Sequence, residues 1–165
     1  MDLPVISQIL QKHWNWSLPV DVEDIAKRLE IEVGSISPFS SDERSLSGVA
    51  EINSDGKRII RRATHESPNR QRFTLAHELG HHMLGHVTKE NHQCRDNVNN
   101  FSSEVHNYLE KDANNFAAQL LMPEEALRIM IFRKGVTDVN ELAMNFHVSG
   151  AAMYYRLKNL GLLSL

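Results

Sequence analysis

The feature that most constrains the fold is a helix over residues 68–87 with chemistry on its border. At about 100° per residue, Phe73, Ala76, Gly80, Met83, Leu84 and Val87 form one apolar stripe, so that side must be buried against the rest of the chain. Ser67 followed by Pro68 is suited to cap and open this helix. His77 and His81 fall on one edge of the stripe and are expected to be half buried. His82 and His86 fall on the opposite face, to be read as solvent-exposed or as neighbours of the site rather than part of it.

His77-Glu78-Leu79-Gly80-His81 is an H-E-x-x-H pattern. Two histidines four apart on a helix project the same way, so both rings can reach one ion. Glu78 lies about 60° further round the helix than His81, away from the stripe. There it can accept a proton from water at the ion, whose pKa zinc brings toward about 7.

A catalytic zinc usually takes three protein ligands and keeps one position open. The third ligand is expected from the helix spanning residues 103–121, whose apolar stripe is Leu109, Ala113, Phe116, Ala117 and Leu120. Glu110 borders that stripe and is the choice. Glu104 faces away, and Asp112 borders the other side. Asn114, one turn on, can hydrogen-bond a ligand. His106 could polarise a substrate carbonyl or be an ordinary border histidine, and Cys94 is an alternative ligand.

The remaining elements follow from local signals. The first thirty residues read as helical, with Asp21 capping a second helix through Val22, Ile25, Ala26 and Leu29. Ile31–Ile36 reads as a strand, and residues 37–44 as a polar loop. Leu46–Asn53 and Arg58–Thr64 are strands joined by a hairpin at Asp55-Gly56, a pair that favours positive φ. Residues 88–102 read as a polar loop that could cover the metal, with Ser102 or Ser103 opening the next helix. Pro123 starts a short helix. Residues 137–165 give two more helices, broken at 147–150 and packed on the body. The expectation is one α+β domain over 1–165, mostly helical, with a small β-sheet.

Bulk properties narrow the function classes. With 41% hydrophobic and 24% charged residues, the 165-residue chain can bury a core. A net charge of -3 gives no general pull toward nucleic acid or anionic membrane. The basic cluster from Lys57 to Arg72 is the local exception, either a solvated strand face or a docking surface. A single cysteine excludes an intrachain disulfide and fits a reducing cytoplasm. No signal segment or membrane-length apolar run is visible.

The run Arg70-Gln71-Arg72-Phe73-Thr74-Leu75-Ala76-His77-Glu78-Leu79-Gly80-His81 resembles the ImmA/IrrE family of zinc metallopeptidases. So does Glu110-Lys-Asp-Ala-Asn-Asn-Phe-Ala-Ala-Gln-Leu-Leu-Met-Pro123. Leu18 to Ala26 and Leu157 to Leu162 are similar too. The resemblance implies a zincin-like domain with His77, His81 and Glu110 on zinc and Glu78 as catalytic carboxylate. It also implies an intracellular peptidase whose protein substrate is a helix-turn-helix repressor of mobile elements or stress genes.

Two other classes compete. Residues 138–157 look like a helix-turn-helix. However, the second helix offers only Arg156, Lys158 and Asn159 among Ala, Met, Tyr and Leu, which favours packing over duplex contact. Alternatively, the chain is a latent or non-catalytic zinc-containing regulator, with His92, Cys94 or Asp96 closing the open position. Nothing in the residues sets the oligomeric state.

Overall fold

The computed structural model describes residues 4–37, 39, 45–91, 93–97 and 104–163, with side chains at 95–97 and 104–107 left undescribed. The expectations for Ser102, Ser103 and His92, and for the side chains of Asp96, Glu104 and His106, lie outside the described residues.

The N-terminal part holds helices α1 (Val5–His13) and α2 (Val22–Arg28). Asp21 caps α2, its Oδ1 accepting from the Asp24 amide at 3.0 Å. Strand β1 (Ile31–Ile36) follows, then β2 (Leu46–Ile52) and β3 (Arg58–Ala63). The hairpin between β2 and β3 turns through Gly56 at φ 79, the left-handed conformation for which glycine pays no Cβ penalty.

Helix α3 (Pro68–Met83) leads to β4 (Gln93–Asn97) and then to α4 (Glu104–Leu121). Helix α5 (Glu124–Arg128) runs into a π-helical turn, Ile129–Arg133. Helices α6 (Val139–Phe146) and α7 (Gly150–Asn159) follow, the turn between them passing through His147 at φ 51. This is the α+β, mostly helical, zincin-like arrangement expected.

The sheet order is β1-β3-β2-β4. β1 runs parallel to β3, while β2 is antiparallel to both β3 and β4. Helix α3 lies against β2 and β3 on one side and against α4 on the other. The main core joins Ile60 of the sheet, Leu75 and Leu79 of α3, and Phe116 and Leu120 of α4. Ile25 of α2, Leu142 and Phe146 of α6, and Met153 and Leu157 of α7 complete it, so the C-terminal helices pack on the body. No helix among the described residues is long and apolar enough to cross a membrane.

Two sequence expectations need correction. Helix α3 stops at Met83 rather than near Val87, because Gly85 takes φ 75 and reverses the chain. The backbone N–H of His86 then donates to the His81 carbonyl at 2.9 Å, and that of Gly85 to His82 at 3.3 Å. These two bonds form a Schellman cap. Second, the polar segment 88–102 contains β4. Its residues Gln93-Cys-Arg-Asp-Asn lack the apolar alternation that marks a half-buried strand, as a sheet edge permits.

The basic cluster is largely paired within the fold. Lys57 meets Glu32 at 3.1 Å, Arg61 meets Glu51 at 3.2 Å, and Arg62 meets Glu23. Arg58 donates to the Leu29 carbonyl, and Arg72 donates to that of Val20 at 3.0 Å. Arg70 lies 3.9 Å from Glu66. The observation favours the strand-face reading of the cluster over a docking surface.

Candidate metal centre

Ser67 caps helix α3, its Oγ accepting from the Arg70 amide at 3.3 Å. Further along the helix His77 and His81 stand one turn apart, and their Nε2 atoms lie 3.0 Å from each other. Both are buried more deeply than the half-burial expected, at 2% and 1% exposure, because α4 closes over that border of α3. Gly80 permits the closure: a Cβ there would lie 3.1 Å from the Phe116 ring of α4.

The close approach of α4 brings in Glu110. Its Oε2 is 3.0 Å from His77 Nε2, and its Oε1 is 3.3 Å from His81 Nε2. Burial alone would raise the Glu110 pKa, but the His77 and His81 rings facing the carboxyl outweigh it in the metal-free chain and hold it well below the usual range.

His77, His81 and Glu110 each present one donor atom within 4.8 Å of the others, and so could hold a metal ion. The donor set fits a divalent cation on its own chemistry. His77 Nδ1 lies 2.9 Å from Asn114 Oδ1, which can only accept, so the His77 proton sits on Nδ1 and the Nε2 lone pair points into the cluster. Two imidazole nitrogens and a carboxylate are the ligand types of zinc and related ions. The Asn114 contact matches the sequence expectation.

Glu78 differs from its expected surroundings. It points away from the apolar stripe of α3 but is fully buried, at 0% exposure, because β2 covers that side. Gly48 of β2 makes room: a Cβ there would meet Glu78 Oε1 at 2.3 Å. The β2–β4 pairing also shifts register between Leu46 and Gly48. Gly48 was not singled out from the sequence. A glycine inside a strand is the signal that could have found it, since such residues mark bulges or close approaches.

His82 is also buried rather than exposed, at 8%, with Nε2 donating to the Ile59 carbonyl at 3.0 Å. Burial lowers its pKa. His86 is half-buried, its Nδ1 lying 2.9 Å from His81 Nδ1, and burial followed by the neighbouring His81 lowers its pKa. Cys94 is outside the metal-competent cluster, and its Sγ donates to the His86 carbonyl at 3.7 Å. Burial, reinforced by the charges of Glu78 and Glu110, pushes the Cys94 thiol up to about 11.

A small sheet laid on a helix that carries two histidines, with a carboxylate from the next helix, defines a zincin-like metallopeptidase domain. The family model of the IrrE N-terminal-like domain, peptidase M78, matches residues 21–158, and the chain belongs to that family. It is similar to the radiation response metalloprotease IrrE of Deinococcus radiodurans, with 37% identity over 95 residues. That match covers 54% of this chain and 27% of the relative, so the chain spans much less than the relative's whole length. Membership in a metallopeptidase family implies a divalent metal.

Proposed function

We propose that the chain is a zinc-dependent metallo-endopeptidase in which His77, His81 and Glu110 hold the metal and Glu78 is the general base. The observation that carries this reading is the convergence of His77 Nε2, His81 Nε2 and the Glu110 carboxylate on one point, with Glu78 on the same turn of α3. Zinc is the metal proposed because two histidines and one glutamate form a ligand set of catalytic zinc sites.

A divalent ion held there supplies Lewis acidity toward a peptide carbonyl and lowers the pKa of nearby water. The protein's own contribution is positioning and proton transfer. Asn114 fixes the His77 ring with Nε2 inward. Glu78 takes a proton from the attacking water, whose oxygen bonds to the peptide carbon. The carboxyl group of Glu78 then passes that proton to the leaving amine as the C–N bond breaks.

The substrate proposed is a helix-turn-helix transcriptional repressor encoded nearby, cut at very few bonds in the cytoplasm. This rests on the resemblance to ImmA/IrrE proteins and on the need of an intracellular peptidase to spare its surroundings. Residues 1–165 are proposed to act as one domain, which the continuous core from α1 to α7 supports.

A DNA-binding role for α6 and α7 has weaker support. Met153 and Leu157 are buried, and Arg156 donates from Nε to the Met122 carbonyl at 3.1 Å, which ties one of the few basic side chains of α7 to the body. Binding of duplex DNA that weakens steeply with salt would favour that reading instead.

The test mixes the purified zinc-loaded chain with the neighbouring repressor, with casein, and with a chelator control. Chelator-sensitive cleavage of the repressor at one or two bonds is expected. Rapid casein digestion with the repressor intact would overturn the substrate assignment. Chelator-insensitive loss of repressor function, without cleavage, would mark the chain as a binding regulator.

A further inference from the structure

We infer that His86 is a positioning residue for His81, its Nδ1 accepting a hydrogen bond from His81 Nδ1–H and so keeping the His81 Nε2 lone pair on the metal cluster. The inference rests on the proposed ligand set.

The local geometry comes from the end of α3. On a continuing helix His86, five residues beyond His81, would stand about 140° away around the axis. Gly85 at φ 75 ends the helix instead. The His86 N–H then donates back to the His81 carbonyl at 2.9 Å. Through this reversal the His86 ring meets the His81 ring edge-on, at 5.0 Å between centroids. The two Nδ1 atoms are 2.9 Å apart.

One of those nitrogens must donate and the other accept. If His86 donated, a neutral His81 would carry its own proton on Nε2, aimed at His77 and Glu110, and could not offer a lone pair there. Ligation through His81 Nε2 therefore requires His81 Nδ1–H to be the donor and His86 Nδ1 the acceptor. Asn114 performs the same task for His77, at 2.9 Å. Metal-bound histidines usually donate to a carboxylate, a carbonyl or water. Here the acceptor is an imidazole held by its own backbone, since the His86 carbonyl accepts from Asn91 Nδ2 at 3.3 Å and from Cys94 Sγ at 3.7 Å. The ligand is thereby tied through His86 to β4.

The test compares zinc affinity by chelator competition in the wild-type full chain and in His86→Leu, His86→Asn and His81→Ala. Leucine fills space but accepts nothing, whereas the Asn Oδ1 can stand in for the imidazole Nδ1. His86→Leu should bind zinc about 10- to 100-fold more weakly, the usual loss for such a partner. His86→Asn should stay close to wild type. Equal affinity of His86→Leu and wild type would overturn the inference, as would an equal fall in both His86 variants with their folds intact.

Should His86→Leu fail to fold, imidazole 15N NMR on the zinc-loaded wild type decides the matter. A proton on His81 Nδ1 and an unprotonated His86 Nδ1 are expected, and the reverse sinks the inference. Failure of the ligand assignment looks different. The wild type would not take up one zinc, or His81→Ala would bind as well as wild type, and the role of His86 would fall with it.

Discussion

The Cα of Gly48 faces the Glu78 carboxylate so closely that a methyl group there would stand 2.3 Å from Oε1 and 2.5 Å from Thr74 Cγ2. The floor of β2 and the side chain of Glu78 thus share one fixed space.

Gly48→Ala should force Glu78 and Thr74 to move. Overpacking of this kind costs about 1–3 kcal/mol. The cost should shrink when Thr74→Ser and Glu78→Ala remove the clashing atoms, which denaturant unfolding of the combined variants would measure. An undiminished cost would place the effect in the strand backbone instead. Zinc content should hold while hydrolysis falls, since Gly48 touches the proposed base and not the proposed ligands.

Glu78→Gln keeps the size of the side chain and removes its basicity. It should retain zinc and fold while losing hydrolysis by about 10²- to 10⁴-fold, the usual contribution of a positioned general base. Cleavage of the repressor at the wild-type rate would remove Glu78 from the mechanism.

His81→Ala and Glu110→Ala each delete one of three converging donors and should lose zinc or bind it far more weakly, as read by metal analysis after gel filtration. Chelation of the wild type should lower its thermal midpoint. Saturation at about 1,000 times the dissociation constant stabilises a fold by about 4 kcal/mol, which chelation would remove. Full zinc retention in both variants would dismiss the assignment.

The helices of the candidate site are legible in the sequence because their signal is periodic. Ser67, Pro68 and the stripe from Phe73 fixed where α3 begins and which border carries His77 and His81. The stripe on α4 singled out Glu110, which the structure brings to both histidines. What a helical wheel omits is what lies over the other faces. Glu78 and His82 sit off the stripe yet are buried, because the sheet covers that side of α3. His86 sits off the wheel altogether, because Gly85 ends the helix before it. Strand β4 escaped because its composition is that of a polar loop and its pairing with β2 is long-range.

Gly80→Ala sets two effects against each other. Alanine in a helix interior normally gains about 0.5–1 kcal/mol over glycine. Here the new Cβ would lie 3.1–3.2 Å from Phe116 Cδ1, Cβ and Cγ. Phe116 is 3% exposed, so its ring has little free space to turn into, and α4 is expected to shift away from α3 and carry Glu110 with it. Net destabilisation with weaker zinc binding is expected from calorimetry and chelator competition. A more stable variant with unchanged zinc affinity would show that the helices have slack.

The thiol of Cys94 gives a pH-dependence for the metal-free chain. Its pKa is pushed from the ordinary 9.0 to about 11, first by burial and then by the charges of Glu78 and Glu110. The unfolded chain therefore loses the thiol proton before the folded one does. The stabilisation linked to that proton is intact below pH 9 and is lost as the pH rises toward 11. The measurement is a difference between two chains, so that ionisations common to both cancel. Denaturant unfolding of wild type and Cys94→Ala, followed from pH 8 upward, should show the steeper decline in wild type even if the variant starts lower. At neutral pH the folded thiol should react slowly with iodoacetamide, since the thiolate is the nucleophile and Cys94 is buried. Parallel pH profiles together with rapid alkylation of the folded chain would mean that the thiol ionises as freely as in the unfolded state.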